Sequence, residues 1–217
     1  MYYPNFLILN LFEGAKKPVG ATAAVDNALG GVITRLITAG EIKGEKGELT
    51  LVHTLEKIGP VRVAVLGMGK REGFTVETIR WAMGEASRIL RKIGIKRIAT
   101  VLHDVSEGDI PADQTAQATV EGSILGLYSF DKHRKDSKEK PQIHTLTIVE
   151  RDRVRLPDIQ RGIVIGKVLA ESACLARDMV NEPANFMTPT HMAERARNLA
   201  PQDILKVTVL DKKEMEE

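Results

Sequence analysis

Hydrophobic residues in this chain follow two spacings, one typical of helices and one typical of strands. Through residues 75–93 they recur every three or four positions, which places them on one side of a helix. The members of this stripe are Val76, Ile79, Met83, Ala86, Leu90 and Ile93. Thr75 precedes the stripe in the position of an N-cap, and Gly94 follows it as a helix-terminating glycine. The pattern predicts a helix over residues 75–93.

Strand-like segments alternate with helical ones along the rest of the chain. Short alternating or continuous apolar runs predict strands at 49–55, 61–66, 95–103, 143–150 and 205–210. Helical spacing and capping residues predict helices at 26–40 with Asp26 as N-cap, at 113–128, and at 188–199 with Thr188 as N-cap and Pro189 in the first turn. This alternation, without an internal repeat, predicts a layered α/β domain with a mixed, largely parallel sheet.

One predicted helix is much longer than the others. Pro157 opens it, and its pattern continues to about Val180, where Asn181-Glu182-Pro183 breaks it. At 1.5 Å per residue this helix would span roughly 35 Å, a length suited to connecting two domains. The single helix and strand that follow cannot close a hydrophobic core. We therefore expect them to be the opening of a second domain.

Composition limits the class of protein. The chain has 217 residues, with 31 Lys and Arg against 29 Asp and Glu, and 43% of the residues are hydrophobic. These values are ordinary for a globular domain and exclude a disordered or fibrous chain. The single cysteine, Cys174, excludes a disulfide framework and a cysteine-rich zinc site.

The chain lacks the signals of membrane insertion and secretion. No stretch approaches the roughly 18 consecutive apolar residues of a membrane span. The apolar run at residues 6–9 follows no Lys or Arg of the kind that opens a secretory signal. We therefore expect a cytoplasmic protein with no membrane partner.

A glycine-rich segment, Gly67–Gly73, lies between a predicted strand and a predicted helix, where a phosphate-binding loop would lie. It departs from the dinucleotide pattern because Glu72 takes the place of the third glycine. It departs from the Walker A pattern because Arg71, and not Ser or Thr, follows Lys70. Asp104, at the end of the next strand, could act as a ribose-binding acid. We favour a tight turn with a basic edge over a nucleotide site.

The residues show no arrangement typical of catalysis or metal binding. The five histidines are His53, His103, His133, His144 and His191, and no pair has the spacing of a helical metal site. Those in or beside strands are expected to be structural. There is no Gly-x-Ser-x-Gly nucleophile elbow. Taken without any family resemblance, the chain has no recognisable active site.

Basic side chains gather between residues 131 and 155. They are Lys132, Arg134, Lys135, Lys138, Lys140, Arg151, Arg153 and Arg155. Acidic residues lie among them and aromatic residues do not, so stacking on single-stranded bases is not expected. We expect a solvated edge, with contact to duplex DNA as the alternative hypothesis.

One segment is specific enough to indicate a family. Residues 176–190 have the sequence ARDMVNEPANFMTPT. This run closely resembles the ARDLVNEPxNxLTPxxLA segment of the leucyl aminopeptidase (cytosol aminopeptidase) family. The resemblance covers nearly the whole chain, continuing at Asp26–Gly31, Gly67–Lys70, Gly122–Phe130 and Val209–Glu216.

The resemblance implies a three-layer N-terminal domain similar to macro domains at residues 1–157. It further implies a linking helix at 158–180 and the truncated beginning of a metallopeptidase domain at 181–217. Members of the family are cytosolic homo-hexamers that use two divalent metal ions, zinc or manganese, to remove N-terminal residues from peptides. Two adjacent metals activate a water and polarise the scissile carbonyl.

The family's metal ligands and catalytic residues lie in motifs resembling GKG-TFDSGG, N-DAEGRL and D-ATLTGA, and none occurs between Met1 and Glu217. We therefore assign no catalytic, metal-binding or cofactor-binding residue to this chain. We expect it to be inactive by itself, to bind no metal cofactor and to serve a structural or assembly role. The alternatives are a macro-like module that binds a nucleotide or ADP-ribose near Gly67–Gly73, and a DNA-contacting module.

Overall fold

The computed structural model describes residues 6–103, 110–133, 141–199 and 206–216. Within these residues, five strands lie at β1 Phe6–Leu11, β2 Leu49–His53, β3 Arg62–Gly67, β4 Arg97–Val101 and β5 Thr145–Val149. The same described residues form seven α-helices, at α1 Gly20–Ala28, α2 Val32–Thr38, α3 Val76–Lys92, α4 Ala112–Leu127, α5 Leu156–Asn181, α6 Pro189–Leu199 and α7 Lys212–Glu216. The chain divides into two compact units, Met1–Ala173 and Cys174–Glu217.

The first unit is built on one mixed sheet with the order β2-β3-β1-β4-β5. The strands β1, β3, β4 and β5 are parallel, and β2 runs antiparallel to β3 at one edge. Apolar residues on one face pack with α3 and form the cluster that contains Ile8, Leu66 and Ile79. Those on the other face pack with α1 and α2 in the cluster that contains Leu9, Val65 and Ile33. These three layers confirm the predicted α/β fold class.

The central strand β1 has no counterpart among the predicted strands. Its sequence, FLILNL, is apolar at almost every position, and Ile8 and Leu9 are both fully buried. A strand covered on both faces loses the alternation that identifies a half-exposed one. The run at residues 6–9 is therefore the middle of the sheet.

The predicted helix over 26–40 is wrong in one respect, because two helices occupy this region. Gly30 and Gly31 separate α1 from α2, and both have a left-handed backbone, with φ of 73° and 78°. Asp26 lies inside α1 and does not begin a helix there. Its Oδ1 atom instead accepts hydrogen bonds from the amides of Ile33 at 2.7 Å and Thr34 at 3.2 Å, so it caps α2 from the preceding helix.

Asp26→Ala is expected to lower the free energy of unfolding by about 2 kcal/mol. Asp26 is buried and also accepts a hydrogen bond from the Thr34 hydroxyl, so its removal leaves several donors near the protein interior unsatisfied. Asp152→Ala is the matched control, because the half-exposed Asp152 caps a short 3-10 turn through the Val154 amide. We expect a loss of about 0.5 kcal/mol there. Equal losses in urea denaturation would contradict the cap assigned to Asp26.

The helix predicted at 75–93 is confirmed as α3. The Thr75 amide donates to Thr78 Oγ1 at 3.3 Å, as in a capping box. The predicted strand at 49–55 ends earlier, at His53, because Leu55 and Glu56 adopt left-handed φ angles of 51° and 63° in the turn that leads to β3.

The long helix α5 and the cap of α6 agree with their predictions. The helix α5 extends from Leu156 to Asn181, and the Thr188 hydroxyl accepts a hydrogen bond from the His191 amide at 3.4 Å. The predicted strand at 205–210 is wrong over residues 206–210, which pair with no strand in the described part of the chain. Residue 205 lies outside the described residues. The domain limits 1–157, 158–180 and 181–217 stay a prediction.

Candidate functional site

The first three backbone amides of the glycine-rich segment Gly67–Gly73, at the end of β3, donate within the protein. The amides of Gly67, Met68 and Gly69 donate to the carbonyl oxygens of Glu48, Leu11 and Gly44, at 2.8, 2.9 and 2.9 Å. A phosphate-binding loop needs its amides directed at the ligand. The observed bonds therefore favour a structural turn.

Loop 44–48 lies directly against this turn, and Gly67 makes the close approach feasible. A Cβ atom on Gly67 would lie 2.0 Å from the Glu45 carbonyl oxygen, so any side chain would displace the loop. Asp104, the predicted ribose-binding acid, lies outside the described residues. Binding of a nucleotide or ADP-ribose stays a prediction.

His103 is buried at the end of β4, as predicted for a structural histidine. Its Nε2 atom lies 3.2 Å from Thr100 Oγ1 and 3.2 Å from Met83 Sδ. Burial lowers the pKa of His103 to about 4, so the ring is neutral at pH 7. His53 and His144, by contrast, are exposed. A neutral, fully buried ring with these neighbours has no access to a substrate.

The described residues do not fit the dinuclear metal site that the family resemblance implies. Across residues 6–103, 110–133, 141–199 and 206–216, no group of three or more His, Cys, Asp or Glu could hold a metal ion. Hard and borderline divalent metals need several such side chains converging on one point. No step of metal-assisted hydrolysis can therefore be derived on these residues.

The family-like segment Gly122–Phe130 begins on α4, where that helix crosses α3. A Cβ atom on Gly122 would lie 2.0 Å from the Arg80 carbonyl oxygen, and one on Gly126 would lie 2.5 Å from Gly84 Cα. Glycines allow the two helix backbones to approach this closely. The segment is thus a helix-packing motif in this structure.

A buried carboxylate lies beside this crossing. Glu121 accepts a hydrogen bond from Arg80 Nε at 2.5 Å and another from Gln117 Nε2 at 2.8 Å. Glu77 also pairs with Arg80. Because Glu121 is almost completely buried and these partners satisfy both of its oxygens, the network holds α3 and α4 together.

The helix α5 packs against α4 within the first unit through small residues. A Cβ atom on Gly162 would lie 2.1 Å from the Asp113 carbonyl oxygen, and one on Gly166 would lie 2.7 Å from that of Gln117. The Arg161 guanidinium donates to Asp113 Oδ2 at 3.1 Å and holds the pKa of that carboxyl below its ordinary value. These contacts fix one side of α5.

The side of α5 that turns away from α4 exposes large apolar side chains. They are Val164, Ile165, Val168 and Leu169, with exposed fractions of 62, 41, 58 and 49%. We call these four residues the apolar face of α5. An exposed cluster of this kind marks an interaction surface more often than isolated apolar residues do.

The family-like segment 176–190 lies in the second unit and contains the end of α5, a turn and the start of α6. The helix α5 ends at Asn181, and the amides of Phe186 and Met187 both donate to the Pro183 carbonyl oxygen, at 2.8 and 2.9 Å. Glu182 is buried. The predicted break of the helix at Asn181-Glu182-Pro183 is therefore confirmed.

The basic stretch is described only in part, because residues 134–140 lie outside the described residues. Arg155 lies 3.6 Å from Glu150 and 3.6 Å from Asp152, so neighbouring carboxylates offset part of its charge. Contact with DNA stays a prediction. Among the described residues, no helix combines the length and apolar character needed to cross a bilayer.

Comparison with known proteins defines the class. Residues 8–137 match the N-terminal domain of the cytosol aminopeptidase family, and residues 174–217 match the catalytic domain of the same family. The class is thus that of peptidases with a separate N-terminal domain. The chain belongs to the cytosol aminopeptidase family.

Two relatives show the extent of the match. A probable cytosol aminopeptidase of Alkaliphilus metalliredigens is 35% identical over 214 residues, which is 98% of this chain and 43% of the relative. One from a Sulfurihydrogenibium species is 34% identical over 209 residues, which is 95% of this chain and 40% of the relative. The chain therefore spans about two fifths of the length of these curated relatives.

Solved structures share the fold. A mutant tomato leucine aminopeptidase superposes with a TM-score of 0.77 at 20% identity, covering 99% of this chain and 43% of that one. The bottromycin maturation enzyme BotP superposes with a TM-score of 0.75 at 24% identity, covering 99% of this chain and 41% of that one. At such identities the likeness shows the fold.

Proposed function

We propose that this chain is the N-terminal region of a metal-dependent leucyl aminopeptidase, an enzyme that removes N-terminal amino acids from peptides. The observation that carries the proposal is the pair of family matches, to the N-terminal domain at 8–137 and to the catalytic domain at 174–217. The region itself has a structural and assembly role and hydrolyses no peptide.

The chemistry of the chain supports the proposal that it is inactive by itself. The sequence contains none of the motifs that carry the family's metal ligands, and its described residues hold no cluster of three metal-ligating side chains. Without such ligands, no bound metal can lower the pKa of a water or polarise a carbonyl. These observations support the proposal that the catalytic groups of the longer enzyme lie outside this sequence.

The longer enzyme is proposed to use two divalent ions, manganese or zinc, and to be a cytoplasmic homo-hexamer acting on peptides. The name of the relatives, cytosol aminopeptidase, supports the location and the reaction class. A structure of BotP in complex with Mn, with a TM-score of 0.68, supports the use of a divalent metal. The hexamer rests on the family resemblance.

Purified 1–217 is expected not to hydrolyse leucine-p-nitroanilide in the presence of Mn²⁺ or Zn²⁺. Release of p-nitroaniline, followed by absorbance, should equal that of a blank with metal and no protein. A folded protein, verified by circular dichroism, is required for each assay. Turnover above the blank that scales with protein concentration would contradict the proposal that the catalytic groups lie outside residues 1–217.

A further inference from the structure

A cavity of about 240 Å³ opens between the edge strand β5 and the helix α4, within the first unit. The Ser123 hydroxyl lines it but already donates to the Thr119 carbonyl oxygen at 2.8 Å. Most of the other lining side chains are aliphatic, and they include Ile124 and Leu127 of α4, Leu146 and Ile148 of β5, and Ile163 of α5. We call this space the apolar cavity. Its walls suit an apolar group.

The volume of the apolar cavity sets the size of that group. One water takes up about 30 Å³ in the liquid, and a methylene group takes up a similar volume, so 240 Å³ accommodates roughly eight carbon atoms. Dry apolar cavities of comparable size bind small apolar molecules in proteins. The apolar cavity therefore fits an aliphatic chain of about eight carbons and is too small for the side of a helix.

A second cavity adjoins the first and is basic. It has a volume of about 410 Å³ and is lined by Gly94, Ile95, Lys96, Arg97 and His144. His144 also lines the apolar cavity, so the two spaces are adjacent. None of the described residues that line either cavity is Asp or Glu. We call this second space the basic cavity. Its charge is complementary to an anion.

The position of the anion follows from the two lysines that line these cavities. Lys167 lines the apolar cavity, but its Nζ atom lies 3.8 Å from Glu171 Oε1, and this carboxylate offsets its charge. Lys96 lines the basic cavity and is exposed, as is His144 beside it. An anionic group is therefore favoured at Lys96 over Lys167.

We propose that the two cavities together bind one medium-chain carboxylic acid. Its aliphatic chain lies in the apolar cavity, and its carboxylate lies in the basic cavity beside Lys96 and His144. A neutral hydrocarbon would leave the basic cavity without a counter-charge. This inference goes beyond the proposed function and does not depend on it, since every lining residue belongs to the first unit. A ligand of about ten heavy atoms is expected to bind with a Kd on the order of 0.5 mM.

The test titrates ¹⁵N-labelled 1–217 with sodium octanoate and follows the amide chemical shifts by NMR, which gives both the affinity and the location. One equivalent should bind, with the largest shifts in α4 and β5. Hexanoate is expected to bind about fivefold more weakly, while decanoate should gain less than about twofold because octanoate already fills the apolar cavity. Octylammonium, which has the same chain and the opposite charge, should bind about tenfold more weakly.

Two variants with matched controls locate the chain and the carboxylate. Ile124→Phe fills part of the apolar cavity and should weaken octanoate binding at least about tenfold, whereas Val154→Phe, at an exposed site outside both cavities, should change it less than about twofold. Lys96→Ala should weaken binding about fivefold. Lys17→Ala removes the same charge from an exposed loop and should have no effect.

Four results would overturn the proposal. They are the absence of shifts at about 5 mM octanoate, shifts centred outside α4 and β5, equal affinity for octanoate and octylammonium, and binding that survives both Ile124→Phe and Lys96→Ala. The ligand series uses the unaltered chain, so the proposal can fail even where a variant does not fold. Octanoate binding that tightens when the protein is diluted would show that a second copy of the chain occupies the apolar cavity, which also contradicts the proposal.

Discussion

Gly122→Ala is expected to lower the free energy of unfolding by about 3 kcal/mol, at the upper end of overpacking substitutions. The new Cβ atom would lie 2.0 Å from the Arg80 carbonyl oxygen and 2.8 Å from the carbonyl carbon. These atoms belong to the backbone of α3, so a side-chain rotation cannot relieve the clash. The two helices must move apart, and the buried contact between Arg80 and Glu121 must move with them.

The expected loss of stability in Gly122→Ala is opposite to the gain that intrinsic helix propensity predicts, so the measurement distinguishes the two effects. In a helix interior, alanine is favoured over glycine by about 1 kcal/mol, so without the clash the substitution would stabilise α4. Gly94→Ala is the control, because a Cβ atom there meets no atom within 4 Å. The only expected cost is the backbone strain of an alanine with a φ of 81°. We expect a loss of about 1 kcal/mol at Gly94. If urea denaturation finds Gly122→Ala neutral or stabilising, the close crossing of α3 and α4 is wrong.

The stability of the chain is expected to fall as the pH is lowered from about 6.5 to about 4, with His103 as one identifiable source. Burial lowers the pKa of His103 to about 4 in the folded protein, while the unfolded chain has the ordinary value of 6.5. Between these values the unfolded state binds more protons, so acid favours unfolding. The full contribution is about 3 kcal/mol, present above pH 6.5 and lost by pH 4.

Urea denaturation at a series of pH values between 7.5 and 4 measures this effect. His103→Gln removes the titrating ring and is expected to flatten the dependence on pH, at some cost in stability at pH 7. His53→Gln is the matched control, since His53 is exposed at the end of β2, and it should retain the slope of the unaltered chain. An undiminished slope in His103→Gln would show that carboxyl groups account for the acid sensitivity.

Helices with one exposed side could be predicted well from the sequence. The helix α3 appears within one residue of its prediction because its buried residues repeat on one face and Thr75 and Gly94 delimit it. The strand β1 could not be predicted in the same way, since both of its faces are buried and its residues show no alternation. The break between α1 and α2 could not be predicted, because the apolar spacing continues across Gly30 and Gly31 and their left-handed backbone is a property of the folded chain.

The features of the candidate site also differ in how far the sequence predicts them. The family could be identified from residues 176–190, because the run is long and its order is specific. The role of Gly122 and Gly126 could not, since a glycine's close contact depends on which helix lies opposite it, and that is a tertiary property. The same holds for Asp26, whose carboxylate caps a helix seven residues further along the chain.

The most direct test of the central claim compares leucine-p-nitroanilide hydrolysis by two proteins, both supplied with Mn²⁺. One is 1–217, and the other is a fusion in which 1–217 continues into the part of the Alkaliphilus metalliredigens relative that follows its match. The claim is that this chain is the non-catalytic N-terminal region of an aminopeptidase. It predicts metal-dependent turnover by the fusion and a rate equal to the metal blank for 1–217. Turnover by 1–217 itself, or a folded fusion no faster than the blank, would contradict it.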